Sequence, residues 1–423
     1  MIYWQHSMTT YIGLIDCNNF FVSCERLFRP DLQQRPVVVL SSNDGCIVAR
    51  SQEIKDNGIP MGVPYFQLKD RLSEMKTEVF SSHFALYRDI SRRIFNVVQQ
   101  EVAVFEQYSI DEAFFELRAV NPQQAALSLR THVEKMVGIP VSIGVAATKT
   151  QAKYANETAK RSSGVQYMSV TAFAEQAGSI PLPTIWGVGR GRSQAFAAHG
   201  LESVQDLIQA DTARVTRLFG IEGARLQAEL QGMVAYPITP RRAPQQSIMS
   251  SRSFCSPSTK RAVVQDALAY HVRQAAADLR TQGQVATALQ VSLRPSRHGT
   301  YALRGGAATI ALPTPSADTF TLLKEATTLL ELLWEPAVPY QKVGIVLSGL
   351  MPAGTTQLSL YPNNATPERS QLLRTIDAVN QRYGQDTLRV GSSIRQAIWQ
   401  AKRDRLSPAY TTQWADLPVV RAQ

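Results

Sequence analysis

The stretch Tyr11-Ile-Gly-Leu-Ile-Asp-Cys-Asn-Asn-Phe-Phe21 joins a short apolar run to a carboxylate at Asp16 and then to a pair of phenylalanines. The run predicts a buried strand that ends at Asp16. A second apolar run, Pro36–Leu40, also has the character of an internal strand. A carboxylate at the end of such a strand lies at the edge of a sheet, which makes Asp16 a candidate for a reactive site.

Two further carboxylates, Asp111 and Glu112, are adjacent in sequence. Adjacent side chains of a strand point to opposite faces, so these two converge only in a turn, and the apolar runs Val102–Phe105 and Ala113–Leu117 predict strands on both sides of one. Beside Asp16, the turn would gather three carboxylates whose repulsion requires a cation, and hard oxygen ligands favour Mg²⁺. Taken singly, each residue has a structural alternative: Asp16 as a helix cap, the other two as solvated turn residues.

The rest of the chain divides by its texture. Helical periodicity over 83–100 and about 123–137, with a strand at Val141–Val145, predicts an α+β core. After about residue 173 the pattern is helical and punctuated by glycine, and Thr239–Ser247 is a basic, proline-containing linker. Residues 248–350 predict a β-α-β-β-α-β unit, and the last 70 or so residues are polar, basic and interrupted by proline.

Composition narrows the class of protein. A net charge of +10 suits a polyanionic partner, and it is uneven: residues 246–350 hold 10 Lys and Arg against 6 Asp and Glu, and 351–423 hold 9 against 5. The longest apolar runs are too short for a membrane span, and the start of the chain lacks the features of a secretory signal. The four cysteines have no zinc-ligand spacing, which indicates reduced thiols in a cytosolic protein.

Several motifs together resemble one family. DCNNFFVSCE (16–25), SIDEAFFEL (109–117) and IGVAATKTQAKYANETAKRSSG (143–164) resemble the palm signatures of Y-family translesion DNA polymerases. SNDGCIVARSQEIKDNGIPMG (42–62) and LSPAYTTQWADLP (406–418) resemble the UmuC-type catalytic subunits of bacterial DNA polymerase V. The resemblance extends over essentially the whole chain.

This resemblance implies a multidomain α+β fold with a right-hand architecture. It implies a palm at 8–19 and 86–173, with fingers at 20–85 and a helical thumb containing a helix-hairpin-helix at 174–240. A little finger at 246–350 and a C-terminal tail at 351–423 complete the expected chain. The implied activity is error-prone, template-directed transfer of nucleotides from dNTPs to a primer 3′-hydroxyl opposite damaged bases, in the SOS DNA-damage response. No proofreading exonuclease is expected.

The resemblance also assigns roles at the implied active site. Asp16, Asp111 and Glu112 match the catalytic metal ligands, with the main-chain carbonyl of Cys17 as a further ligand for two Mg²⁺ ions. Phe21 matches the steric gate, an aromatic ring packed where a ribose 2′-hydroxyl would project; UmuC-type proteins commonly have tyrosine there. Lys55 and Lys160 match residues that contact the triphosphate.

Further positions are candidates for contacts with DNA and protein partners. Gly187 and Gly189 resemble the turn of a helix-hairpin-helix that presents backbone N–H groups to a phosphate. In the little finger the candidates for DNA contacts are Arg252, Arg294, Arg297 and Arg304. The run Gln357–Tyr361, with the sequence Gln-Leu-Ser-Leu-Tyr, resembles the pentapeptide by which bacterial proteins bind the β sliding clamp. Gln357, Leu358, Leu360 and Tyr361 are the candidate clamp contacts, and the alternative is that the run forms an edge strand.

The expected partners are primer-template DNA, a dNTP, the β sliding clamp, a UmuD′-type dimer and a RecA filament. A cytoplasmic location is expected, at the nucleoid during activity. Two alternatives remain open at this point. The first is a palm-fold nucleotidyl cyclase or a two-metal nuclease, which also needs clustered carboxylates. The second is a non-enzymatic DNA-binding scaffold whose active site has decayed, and the presence of all three carboxylates argues against it.

Overall fold

A computed structural model describes residues 9–240, 243–296, 305–354, 367–384, 386–389 and 399–419. The chain divides into two units. The first comprises 1–41, 45–242 and 404–423, and the second comprises 42–44 and 243–403. Arg297, Arg304 and the predicted clamp motif Gln357–Tyr361 lie outside the described residues.

The first unit begins with the segments predicted as palm and fingers. Its elements are, in order, β1 (Thr9–Cys17), α1 (Phe20–Phe28), β2 (Val37–Leu40), β3 (Ile47–Arg50), α2 (Gln52–Asp56), α3 (Tyr65–Glu74) and β4 (Glu78–Ser81). The next elements are α4 (Phe84–Glu101), β5 (Phe105–Gln107), β6 (Glu112–Ala119), α5 (Pro122–Val137), β7 (Val141–Ala146), α6 (Lys149–Ala159) and β8 (Val165–Tyr167).

The strand predicted from Tyr11 to Asp16 is the centre of the main sheet, whose order is β5-β6-β1-β7-β8. It pairs antiparallel with β6 on one side and with β7 on the other. Alternate side chains enter two cores: Ile15 packs in the cluster that contains residues of α4 and α5, and Leu14 packs with Ala152 of α6. Helices therefore cover both faces, which explains why the strand is apolar at successive positions.

Helix α6 lies unusually close to the sheet because of Gly144 in β7. A Cβ atom at this position would overlap the backbone oxygen of Ala152 and the backbone nitrogen of Asn156. The amide of Asn156 then donates hydrogen bonds to the backbone oxygens of Leu14 (3.3 Å) and Ser142 (2.7 Å). The helix is thereby held in register with both β1 and β7.

A second sheet, β3-β2-β4, follows α1 in the segment predicted as fingers. Beyond the main sheet come α7 (Val170–Gln176), α8 (Arg190–Ala197), α9 (Val204–Gln209) and α10 (Thr212–Leu230), the last kinked at Gly220. These helices share one hydrophobic core. The helical texture predicted after residue 173 is thus confirmed.

The second unit contains the predicted β-α-β-β-α-β arrangement. Its elements are β9 (Ser247–Ser258), α11 (Arg261–Thr281), β10 (Gln284–Pro295), β11 (Gly306–Ser316), α12 (Thr319–Leu333), β12 (Tyr340–Ser348), β13 (Met351–Pro352) and α13 (Pro367–Tyr383). The main sheet of this unit has the order β11-β10-β12-β9. Both α11 and α12 contribute to its core.

Two local expectations differ from the structure. The strand expected at Val102–Phe105 begins only at Phe105, because α4 extends to Glu101 and the chain needs residues 102–104 to turn. The tail, for which the sequence analysis predicted no helix, contains α13. The predicted boundaries between palm, fingers, thumb, little finger and tail stay predictions. In the described parts of the chain, no helix is long and apolar enough to cross a membrane.

Candidate active site

The three predicted carboxylate residues lie near one another at one end of the central strands of the main sheet. Asp16 lies directly opposite Glu112 in the antiparallel ladder between β1 and β6. The backbone N–H of Cys17 donates a 2.9 Å hydrogen bond to the backbone oxygen of Asp111. The last residues of β1 and the first of β6 therefore bring residues that are almost 100 positions apart into contact.

Asp111 lies in the turn before β6, and Glu112 is the first residue of that strand. The Ser109 hydroxyl shapes the turn: it accepts hydrogen bonds from the backbone N–H groups of Asp111 (3.1 Å) and Glu112 (3.0 Å). It also donates a 2.6 Å hydrogen bond to a carboxylate oxygen of Asp111. The predicted turn is confirmed, and a short side chain that bonds to nearby backbone explains it.

Lysines of α6 and of the residue after it extend over the carboxylates. The ammonium of Lys160 lies 2.9 Å from Oδ2 of Asp16. The ammonium of Lys153 lies 2.7 Å from both carboxylate oxygens of Glu112. Lys153 was not among the sequence candidates, although Lys149, Lys153, Asn156 and Lys160 recur at the spacing of one helix face, a signal that could have found it.

The electrostatics show that the site is short of positive charge. Burial and, to a lesser extent, the hydrogen bond with Glu112 raise the pKa of Asp16 to about 7, against the opposing effect of Lys160. Burial also acts to raise the pKa of Glu112, but hydrogen bonds from Asp16 and Lys153 outweigh it and the net shift is downward. Two carboxyl groups this close share a proton unless a cation neutralises both.

The donor set suits a hard divalent cation. Three carboxylates and a main-chain carbonyl supply oxygen ligands only, which is the set that Mg²⁺ prefers. Among the described residues, no three His, Cys, Asp or Glu side chains are gathered in a ligand arrangement as they stand. Lysines engage Asp16 and Glu112, and Ser109 engages Asp111, so a metal ion would replace these contacts.

A cavity of about 360 Å³ opens beside the carboxylates. Its lining includes Asp16 and Asp111, the predicted steric gate Phe21, and both predicted triphosphate contacts, Lys55 and Lys160. Burial and the nearby guanidinium of Arg50 lower the pKa of Lys55. A polyanion bound in this cavity would relieve the repulsion between the ammonium of Lys55 and the guanidinium of Arg50.

The remaining candidates lie away from this cavity or in the other unit. Gly187 has φ of 87° and Gly189 precedes the first residue of α8, so the predicted turn before a helix is present. Arg252 is in β9 and Arg294 in β10, both in the second unit. The roles of all four in DNA binding stay predictions.

Comparison with family models gives three matches. The model described as "impB/mucB/samB family" matches residues 15–157, and "impB/mucB/samB family C-terminal domain" matches 245–360. The third, described as "Domain of unknown function (DUF4113)", matches residues 370–420.

Curated relatives cover nearly the whole chain. The protein ImpB of Salmonella typhimurium is 34% identical over 97% of this chain and 99% of its own. The protein UmuC of Salmonella typhimurium strain LT2 is 34% identical over 96% of this chain and 99% of its own. DNA polymerase IV of Corynebacterium diphtheriae is 29% identical over 81% of this chain and 76% of its own.

Among solved structures, a Y-family DNA polymerase chimera of Dbh and Dpo4 matches with a TM-score of 0.65 and 17% identity. The match covers 81% of this chain and 99% of the chimera. The predicted Y-family polymerase fold is thereby confirmed. On the length and identity of these matches, the chain belongs to the impB/mucB/samB family.

Proposed function

We propose that the chain is an error-prone translesion DNA polymerase of the SOS response, without a proofreading exonuclease. The observation that carries the proposal is the meeting of Asp16, Asp111 and Glu112 beside a cavity lined by Lys55, Lys160 and an aromatic ring. The relatives named UmuC and DNA polymerase IV support it. The proposal thus extends the shared family to a specific reaction.

The carboxylates of Asp16, Asp111 and Glu112 and the carbonyl of Cys17 would hold two Mg²⁺ ions. When bound, these ions supply charge stabilisation for the attacking 3′-oxygen and for the pyrophosphate that leaves. Ser109 keeps Asp111 and Glu112 in one turn, so neither side chain must be ordered when substrate arrives. Asn156 holds α6 against β1, which fixes the lysines relative to the carboxylates.

The incoming dNTP would lie in the cavity with its triphosphate toward Lys55 and Lys160. Both side chains are flexible point charges that can follow phosphate oxygens through the reaction. The ring of Phe21 would lie against the deoxyribose and leave too little room for a 2′-hydroxyl. Primer-template DNA would be held by Gly187 and Gly189 in the thumb and by Arg252, Arg294 and Arg297 in the little finger, through its backbone phosphates.

Primer extension with the full chain tests this function. We expect template-dependent addition of dNTPs on undamaged and lesion-bearing templates, and loss of at least about 10³-fold in rate with Asp111→Ala. A primer annealed to a defined template also distinguishes a polymerase from the alternative enzymes. A cyclase would not extend this primer, and a nuclease would shorten it. Near-normal extension by Asp111→Ala would remove the metal assignment.

The resemblance to the UmuC branch extends the proposal to a UmuD′-type dimer and a RecA filament as partners, and to the nucleoid as the place of action. The β sliding clamp would bind Leu358, Leu360 and Tyr361, whose apolar side chains suit a preformed pocket, and Gln357 would form a hydrogen bond at its rim. Such a tether raises the local concentration of the enzyme at the primer end.

Replacement of Leu358, Leu360 and Tyr361 by alanine tests the clamp assignment. We expect normal extension on a short linear template and loss of stimulation by a loaded clamp. Full clamp stimulation of the triple variant would contradict the assignment.

A further inference from the structure

The predicted gate residue Phe21 rests on another aromatic ring. The ring of Phe21 stacks on that of Tyr87 in α4, with 4.5 Å between centroids and 14° between planes. Phe84, one turn earlier in α4, meets the Phe21 ring edge-on at 5.7 Å. Stacked pairs depend on ring offset, so the position of Tyr87 sets that of Phe21.

Tyr87 is itself held by a buried carboxyl group, that of Glu25. The hydroxyl of Tyr87 donates a 2.7 Å hydrogen bond to Oε1 of Glu25, and both residues have 0% of their surface exposed. Glu25 lies one turn after Phe21 in α1, so Tyr87 touches both residues of the same helix face. Oε2 of Glu25 has no hydrogen-bond partner among the described residues, which concentrates its hydrogen bonding on Oε1.

The second donor to Glu25 comes from the far end of the chain. The hydroxyl of Ser407, 5% exposed, lies 3.2 Å from Oε1 of Glu25 and 3.0 Å from Nδ1 of His83. His83 and Tyr87 lie on successive turns at the start of α4. Glu25, His83, Tyr87 and Ser407, called the Glu25 network below, therefore close a ring of polar contacts between α1, α4 and the tail.

The tail segment that carries Ser407 is docked on both sides of it. Ser81 and Arg405 exchange hydrogen bonds: the backbone N–H of Ser81 donates to the oxygen of Arg405 (2.9 Å), and the backbone N–H of Arg405 donates to the hydroxyl of Ser81 (3.0 Å). Tyr410 stacks on Phe28 at the end of α1, with 4.6 Å between centroids. This segment belongs to the region matched as a domain of unknown function.

We propose that the tail segment Arg405–Tyr410 positions the steric gate: Ser407 holds Glu25, Glu25 holds Tyr87, and the ring of Tyr87 sets the ring of Phe21. Ser407, Glu25 and Tyr87 are thus positioning residues for discrimination against ribonucleotides. The inference rests on the proposed function of Phe21. Loss of either donor removes one of the two hydrogen bonds that fix the buried carboxyl, and a displaced Tyr87 ring releases the Phe21 ring from the space of the 2′-hydroxyl.

The test is single-nucleotide insertion by the full chain, measured as kcat/KM for a dNTP divided by kcat/KM for the matching ribonucleotide. Ser407→Ala and Tyr87→Phe each remove one hydroxyl and keep the rest of the side chain. We expect each to lower the ratio roughly fivefold, mainly by increasing kcat/KM for the ribonucleotide. A merely structural loss lowers both constants together and leaves the ratio at its wild-type value.

Two comparisons make the result decisive. Ser91→Ala removes a buried hydroxyl one turn beyond Tyr87 in α4, outside the Glu25 network, and should leave the ratio unchanged. Phe21→Ala should lower the ratio by more than either network variant, and adding Ser407→Ala to it should change the ratio no further, because the positioned ring is gone.

The possible outcomes separate the positioning role of the Glu25 network from the gate role of Phe21. If Phe21→Ala lowers the ratio while Ser407→Ala and Tyr87→Phe do not, the positioning role is overturned and the gate stands. If Phe21→Ala leaves the ratio unchanged, the gate itself lies elsewhere. An undiminished effect of Ser407→Ala in the Phe21→Ala background would show that Ser407 acts by another route and would also overturn the proposal.

Discussion

Two buried carboxyl groups of the first unit, Asp16 and Glu25, have similarly raised pKa values but different hydrogen-bonding and charged partners. Burial raises the pKa of each to about 7. Asp16 adjoins a second carboxylate, Glu112, and its partner is the ammonium of Lys160. The partners of Glu25 are the hydroxyls of Tyr87 and Ser407. Asp16 is therefore suited to a cation, and Glu25 to remaining a neutral hydrogen-bonding group.

This difference matters because burial of a carboxyl is costly in either protonation state unless its oxygens are bonded. At the carboxylate site, Asp16, Asp111 and Glu112, this cost falls on groups whose negative charge the proposed reaction needs. In the Glu25 network the same chemical group is used to join three segments of the chain. A raised pKa is thus a poor guide to a catalytic role without the identity of the partners.

The largest effect should come from neutralising the first of these groups. Asp16→Asn keeps the shape of the side chain but removes the charge that a metal ion requires, so we expect kcat for nucleotide addition to fall at least about 10³-fold. Primer-template affinity, measured by fluorescence anisotropy, should change little. As a control, Asp31→Asn neutralises an exposed carboxylate paired with Arg29 and should extend primers normally. If Asp16→Asn extends primers at a rate within tenfold of wild type, Asp16 is not a ligand of a required cation and does not differ from Glu25 in this respect.

The second effect concerns stability and pH at Glu25. Its pKa rises from 4.5 in the ordinary case to about 7 in the folded chain, so the folded state binds the proton more tightly. Stabilisation is complete below pH 4.5 and is lost as pH rises through 7, by about 3 kcal/mol of unfolding free energy. Glu25→Gln does not titrate, so urea unfolding at pH 5 and pH 8 should show wild type losing most of this amount, about 2.5 kcal/mol, relative to the variant.

Several groups surround Glu25 and bear on the pH dependence of its stabilising effect. Tyr87 and Ser407 bond to its carboxyl and lower its pKa, and Cys24, His83 and Tyr410 lie around them. A parallel pH dependence of wild type and Glu25→Gln would mean that Glu25 is ionised in the folded protein, as Glu112 is held to be.

The smallest effect separates the two sites mechanically. Gly144→Ala places a methyl group against the backbone of α6, so the helix must move from the sheet at a cost of about 1–3 kcal/mol. Because α6 carries Lys153 and Lys160, nucleotide addition should fall as well, while the pH-dependent step at Glu25 should persist. Gly191→Ala, where a Cβ meets nothing within 4 Å, is the matched control for stability. Equal stability of the two variants would show that the close packing is dispensable.

Local chemistry determined what the sequence could predict. The strand that ends at Asp16 and the turn at Asp111 and Glu112 follow from apolar runs and from Ser109, all within a few residues, and the structure confirms them. The pairing of Lys153 with Glu112 depends on how closely α6 approaches β7, and this in turn depends on Gly144. No local sequence pattern predicts how closely a helix will approach a strand.

The Glu25 network was beyond prediction for a related reason. Its partners are far apart in sequence: 62 residues separate Glu25 from Tyr87. A glutamate within DCNNFFVSCE looks like an ordinary polar position of a helix, and the packing of α1 against α4 and the tail buries it. The tail helix α13 was missed because its amphipathic face is weak in a polar, proline-flanked segment.

The position of Ser407 also has a consequence for biosynthesis. It lies 382 residues after Glu25. At a translation rate of about 5–20 residues per second, roughly 20–75 s separate the synthesis of these two hydrogen-bonding partners. The strands that carry Asp16, Asp111 and Glu112 emerge early and can pair while the ribosome is still at work. The proposed support for Phe21 is therefore completed last, and a nascent chain released before Ser407 would have all three carboxylates but lack one of the two donors to Glu25.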